Sequence, residues 1–339
     1  MDGVWIDPKP AWELSSDVLG CTEGVAFSRC GRLLALAHAS DQRVSVFERL
    51  GDANAYSDRP VSVIEGPESG VDYPHDVDFS PDGRLLVVAN RKGKSLTAYL
   101  REPGGAARFE GRPLWTIRGR LSRLRHPDGV KFVPPDGAHL AAVNLTRNTV
   151  TFYRRSRLRR SRFASRACFV LEGPETRLME PDGLAFSDDG ELLAVTNHGA
   201  GTVTVYARGA RAPRYGPAPI AEFGADPHPL RCPHSVAFSR GGTHLAISNA
   251  GGRTVAVYRR GPGPDPRSSP WSQAPVLELE AYDPTTYGAA NGRDRREGGS
   301  KGVAFGAGCF GVCSPFFGLR VHRVSPAPSC ETDQPDSAS

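Results

Sequence analysis

Nothing in this 339-residue chain spells out a reaction. It has no Gly-x-Ser-x-Gly elbow, no Walker-type phosphate loop, no His-Glu-x-x-His pair and no Cys-x-x-Cys pair. Serine-hydrolase, nucleotide-binding and zinc-cluster readings therefore have no support. The seven cysteines are odd in number and irregularly spaced, and Cys309 and Cys313 stand one residue too far apart for a metal-type pair. That excludes a disulfide framework and favours a reducing compartment. No apolar run approaches the length of a membrane span, and the start, Met1-Asp2-Gly3-Val4-Trp5, lacks a basic region followed by an apolar stretch. The expectation is a soluble, cytoplasmic, monomeric chain with no membrane contact. The formal charge of +5 is small for this length, so any affinity for acidic partners must come from clustering.

What the chain does have is glycine, proline and a repeat. With 38 Gly and 29 Pro beside 39% hydrophobic residues, the composition suits many short strands joined by tight turns. Six copies of one signature recur: Gly24-Val25-Ala26-Phe27, Asp76-Val77-Asp78-Phe79, Gly129-Val130-Lys131-Phe132, Gly183-Leu184-Ala185-Phe186, Ser235-Val236-Ala237-Phe238 and Gly302-Val303-Ala304-Phe305. The phenylalanines are spaced by 52 to 54 residues, with a last step of 67, a period that calls for a repeat architecture.

Each copy reads as four strands. His75 to Ser80 is the first, Pro81-Asp82-Gly83 a hairpin turn, Arg84 to Ala89 the second, Ser95 to Leu100 the third and Pro113 to Ile117 the fourth. Four antiparallel strands in about 50 residues make one propeller blade. Runs such as Leu85-Leu86-Val87-Val88-Ala89 fit a sheet buried on both faces. Trp12 stands as far before Phe27 as Ile64 stands before Phe79, so Ala11 to Leu14 predicts a displaced fourth strand. The fold expected is all-β: a six-bladed β-propeller of four-stranded antiparallel blades, closed by the N-terminal strand around Trp12 in the C-terminal blade. It forms one domain over 1–325, with an insertion over 283–300 between blades five and six and a disordered tail over 326–339.

The segments Pro74-His75-Asp76-Val77-Asp78-Phe79-Ser80-Pro81-Asp82-Gly83 and Pro233-His234-Ser235-Val236-Ala237-Phe238-Ser239 resemble the YVTN and lactonase-type β-propeller repeats, and are similar to NHL and gluconolactonase-like propellers. The resemblance covers about residues 10 to 305. It implies blade structure and a family that includes both lactone hydrolases, some using a divalent metal at the channel mouth, and binding modules without chemistry.

Two columns should converge at one mouth of the channel. Four residues before each Phe stand Glu23, His75, Asp128, Asp182, His234 and Lys301; eleven or twelve after it stand His38, Asn90, Asn144, Asn197 and Asn249, with Phe316 breaking the series. Carboxylates, imidazoles and amides around a mouth suit a hard divalent cation or a polar ligand such as a sugar lactone. For any one residue the commoner role is structural, an Asn capping its own turn or a His bonding backbone. The variable column holds the better candidates. Ligand contact is expected from His75, Asp128, Asp182, His234, Asn90, Asn249 and Arg125. A metal such as Ca²⁺ or Mg²⁺ is expected at Glu23, Asp128, Asp182, Asn144 and Asn197.

Two charge features complete the reading. Asp78 and Lys131 replace the usual Ala before the Phe in adjacent blades, which predicts an ion pair between them. Arg154, Arg155, Arg157, Arg159, Arg160, Arg162 and Arg166 crowd one linker; with no aromatic platform beside them, a solvated loop is favoured over nucleic-acid binding. Arg118, Arg120, Arg123 and Arg125 precede blade three and are placed to attract an anion. The leading functional expectation is a binding scaffold for a small polar ligand or a protein partner. The alternative is a lactonase-like, metal-dependent hydrolase, and the third is binding of an acidic partner through the Arg154–Arg166 loop.

Overall fold

The computed structural model describes residues 5–51, 54–104, 107–159, 161–263, 265–281 and 297–325. The predicted tail, most of the 283–300 insertion and Arg160 lie outside them. Six four-stranded antiparallel sheets form a closed ring. The inner strands carry the repeated signature: Thr22–Phe27, Pro74–Phe79, Pro127–Val133, Pro181–Phe186, Pro233–Phe238 and Val303–Phe305.

Closure follows the expectation from Trp12. The strand Trp5–Leu14 is the outermost member of the sheet that holds Val303–Phe305, Cys309–Ser314 and Gly318–Ser325, and it pairs with the last of these. Joining the two ends of the chain in one sheet leaves the ring without an open side. The atypical C-terminal segment thus completes blade six. Its hairpin is shorter than the others, so Ser314, not Phe316, holds the station that His38 and the asparagines hold elsewhere.

The core is a series of layers between neighbouring sheets. The signature Phe of each of the first five blades packs on an aromatic residue of its own outer linker: Tyr56, Phe109, Phe163, Tyr215 and Trp271. Each of those is bridged to an arginine, respectively Arg49, Arg101, Arg155, Arg208 and Arg260. Arg155 is therefore part of the scaffold, not of a free basic patch.

Glycine in the signature has a steric cause. A Cβ on Gly24 would lie 2.6 Å from the carbonyl oxygen of His75, one on Gly183 2.6 Å from that of His234, and one on Gly302 2.9 Å from that of Glu23. At these glycines the inner strand lies so close to the next that only hydrogen fits. Where the residue is larger, it bonds across instead: Asp76 accepts the Val130 N–H and Ser235 Oγ accepts the Val303 N–H.

That stagger overturns the predicted Asp78–Lys131 pair. Lys131 Nζ lies 2.6 Å from Asp76 Oδ2: the two inner strands sit one residue out of level, with Asp76 facing the Val130 N–H and Asp78 the Phe132 N–H, and the long Lys131 side chain reaches back to Asp76. Asp78 instead accepts the Phe132 N–H at 2.8 Å. Burial pushes its carboxyl up to about 7, with Lys131 pulling the other way. Asp76→Ala should cost about 2–3 kcal/mol in chemical denaturation, since it strands a partly buried ammonium. Asp78→Asn, which keeps an acceptor for Phe132, should cost less than about 1 kcal/mol.

The channel has two unlike ends. One opens as a cavity of about 380 Å³ walled by the signature phenylalanines, with Asp78 and Lys131 at its side. The other end is polar.

Candidate functional site: a ring of ionisable side chains

Five of the inner strands are irregular at the same place. In the first five, a register shift interrupts pairing with the second strand where the residue four before the Phe stands. Such bulges re-aim a side chain. In four blades the proline that opens the strand follows a non-glycine residue in the left-handed region: Tyr73, His126, Glu180 and Cys232. Each such residue costs about 1–2 kcal/mol, and all four sit at the entrance to the same column.

The column converges as a buried ring of Glu23, His75, Asp128, Asp182, His234 and Lys301. His75 and His234, from opposite blades, stack across the axis with centroids 5.0 Å apart. Glu23 and Asp182, also from opposite blades, flank them. His234 Nε2 lies 3.2 Å from Glu23 Oε2 and 3.7 Å from Asp182 Oδ2, while His75 lies 4.0 Å from Glu23 and 3.7 Å from Asp182. Lys301 reaches Glu23 at 3.5 Å. The backbone holds two stations in place: Thr196 donates to the His234 carbonyl and Ser248 to that of Lys301.

Three residues outside the column join this ring. Arg91 Nε approaches Asp128 at 3.3 Å. His198 lies 3.7 Å from Asp182 and 3.5 Å from Glu297, and Glu297 pairs with Lys301. Arg91 and His198 each follow an asparagine that ends a second strand. That position reads Ala39, Arg91, Leu145, His198 and Ala250 across five blades, a variation that marked them in the sequence.

The electrostatics are those of a site short of positive charge. Burial pushes the Asp128 carboxyl up to about 8 despite Arg91, and raises Asp182 well above the usual range, with Asp128 adding to it. Burial likewise holds His75 and His234 well below their ordinary value, so both are neutral. Burial works against the Lys301 charge, yet Glu23 and Glu297 hold its ammonium above the usual value. Four carboxyl groups, Glu23, Asp128, Asp182 and Glu297, thus face two permanent cations, Lys301 and Arg91. Among the described residues, Glu23 Oε2, both Asp128 oxygens and His234 Nδ1 are buried without a hydrogen-bond partner.

The ligand atoms of Glu23, His75 and His234 lie within 4.8 Å of one another, as do those of His75, Asp128 and Asp182. His75 Nδ1 stands 3.2 Å from the Asp128 carbonyl oxygen. A proton on Nδ1 satisfies that carbonyl and leaves the Nε2 lone pair facing Glu23, the arrangement that metal-binding imidazoles adopt. The residues present therefore fit a divalent cation.

The amides named from the sequence are not brought to this ring. Asn90 bonds Thr97, Asn144 bonds Thr149 and Thr151, Asn197 bonds Thr202 and Thr204, and Asn249 bonds the Thr254 carbonyl. Each also accepts a backbone N–H from the linker entering its blade, from Asp72, Arg125, Met179 and Arg231. His38 bonds Ser45 within its own blade. Arg125 bonds the Leu124 carbonyl and lines a separate crevice on blade three.

No family model and no curated protein matches the chain. Solved structures share the fold. The propeller domain of Cps50 (Swd1) from Myceliophteria thermophila gives a TM-score of 0.55 at 12% identity, covering 88% of this chain and 82% of that one. A functionally unknown protein from Desulfotomaculum acetoxidans gives 0.56 at 13% identity, covering 90% and 86%. The periplasmic gluconolactonase PpgL of Pseudomonas aeruginosa gives 0.50 at 16% identity, covering 76% and 85%. At such identities the likeness establishes the propeller alone, with a lactonase among the neighbours. No helix among the described residues is long and apolar enough to cross a membrane.

Proposed function

We propose that this propeller is a binding module whose polar hub holds a divalent metal ion, with Glu23, His75 and His234 as ligands and Asp182 within reach. The observation that carries the reading is the surplus of two carboxyl groups over cations around two neutral, stacked imidazoles, with two of those carboxyls kept protonated by burial for want of a cation. Two imidazoles in the donor set favour a zinc- or manganese-type ion over calcium or magnesium. When bound, such an ion would supply a Lewis-acidic centre for an oxygen of a small polar ligand. Arg91, a third exposed in its side chain, offers that ligand a guanidinium at the mouth.

A second reading, hydrolysis of a small cyclic ester, is favoured by His198. It is the ring's one imidazole toward the mouth, half-buried between Asp182 and Glu297, and burial keeps it neutral against the pull of Glu297. A neutral imidazole so placed takes a proton from water and passes it on. A reducing compartment is proposed as well, on the free thiols of Cys21, Cys30, Cys168, Cys232, Cys309 and Cys313.

Titration of metal-free protein with Zn²⁺, Mn²⁺, Ca²⁺ and Mg²⁺ tests the hub. Binding of one zinc or manganese ion per chain, weakened about 100-fold or more in Glu23→Gln, is the expected result; no binding of any of the four contradicts it. Turnover of a sugar lactone by the loaded protein, lost on His198→Ala while metal binding persists, would select the hydrolase.

A further inference from the structure

On blade three, away from the hub, five arginines surround one crevice of about 670 Å³: Arg120, Arg123, Arg125, Arg147 and Arg166. The linker entering the blade supplies the first three. Arg147 comes from the turn after the second strand, and Arg166 from the approach to the outermost strand, Phe169–Leu171. The single acidic group in the lining, Glu172, is already paired with Arg123 at 2.7 Å. Among the described residues, Arg120, Arg125, Arg147 and Arg166 make no ion pair with a carboxylate.

The repeat supplies an internal control. Blade five has the same crevice, lined by Pro227, Pro229, Arg231, Arg253, Pro275 and Glu278. Arg253 there is paired with Glu280. The floor position that is Glu278 in blade five, opposite Ala256, is Val170 in blade three, opposite Thr151. Blade four also carries a carboxylate at this station, Glu222 opposite Thr204, and pairs it with Arg177. Blades one and two carry Val63 and Thr116 at this station, so what sets blade three apart is its arginines: five line its crevice, against Arg231 and the paired Arg253 in blade five.

Five like charges around one concavity repel one another, and a guanidinium matches phosphate oxygens with two parallel hydrogen bonds. We propose that the blade-three crevice is a binding site for a small ligand carrying two or more phosphate groups. Its volume lies within the range of small-molecule sites. The ring of Phe169 is covered by Arg214 at 5.9 Å, so the crevice offers charge without an open stacking platform. This favours a compact polyphosphate over a single-stranded nucleic acid.

The test uses inorganic tripolyphosphate, orthophosphate and a single-stranded oligonucleotide as probes in calorimetric titration at two salt concentrations. Cys168, exposed on the crevice wall, gives a second readout through its alkylation rate. Tripolyphosphate is expected to bind one per chain, to weaken with salt and to slow Cys168 alkylation. Arg147→Glu/Arg166→Glu should weaken it at least about 30-fold, while Arg157→Glu, in the neighbouring loop, changes it less than about twofold. An unchanged affinity in the double variant with unchanged thermal stability overturns the proposal. So does orthophosphate binding as tightly as tripolyphosphate, or an oligonucleotide binding more tightly and losing affinity on Arg157→Glu.

Discussion

Asp182→Asn is expected to stabilise the metal-free protein and, in the same molecule, to reduce its stabilisation by zinc or manganese. In the wild type the buried carboxyls of Asp128 and Asp182 titrate above the ordinary value of 3.8. The unfolded chain gives up those protons near pH 4 and the folded chain holds them. Stability of the metal-free protein must therefore fall as pH rises from about 4 toward the Asp128 value of about 8. Removing one carboxyl flattens that slope and contributes about 1–3 kcal/mol above pH 8, because an uncompensated buried charge is no longer forced on the fold. The bound ion reverses the sign: its charge offsets the carboxylates, so wild type gains more from it than the variant, which keeps Glu23, His75 and His234 but lacks the Asp182 carboxyl. Thermal denaturation across pH, with metal and with chelator, checks both halves. A variant less stable than wild type at every pH without metal would show that Asp182 is a structural anchor.

The second large effect is steric. Gly183→Ala places a methyl group 2.6 Å from the His234 carbonyl oxygen and 2.9 Å from the Ser235 Cα. Both are backbone atoms of the neighbouring inner strand, so relief requires blades four and five to part. We expect a loss of about 3 kcal/mol, the upper end for overpacking, together with a shifted His234 and weaker metal binding. Gly111→Ala meets nothing within 4 Å and should change stability by less than about 0.5 kcal/mol. Denaturant titration of both variants gives the comparison. Equal stabilities would mean that the blades are not packed as closely as described.

The repeat made the propeller legible because each blade must solve the same packing problem with the same residue types. The buried Phe, the small residue beside the next strand and the turn glycine recur for physical reasons. Trp12 was legible for the same reason, as one term of the series displaced to the other end of the chain. The ring residues were visible as a column because each blade contributes one, and their identities vary where scaffold positions do not. What alignment could not supply was the level of one blade against the next. Treating the copies as flush pairs Lys131 with Asp78, whereas the stagger of the inner strands brings it to Asp76. The asparagines show the converse: a uniform column can be polar and face the mouth side of each blade, yet spend its amides on threonine hydroxyls and linker N–H groups. Glu297 had no counterpart to align with, since it lies in the insertion before blade six, and Ser314 was displaced by a shorter hairpin.

On the proposed function, a cation lies between the stacked histidines. Anomalous scattering at the zinc or manganese edge, from crystals grown with that metal, locates it directly. One strong peak is expected on the channel axis, bounded by Glu23, His75 and His234. Density showing these side chains hydrogen-bonded to one another with no anomalous peak, in crystals that carry metal elsewhere, would contradict it.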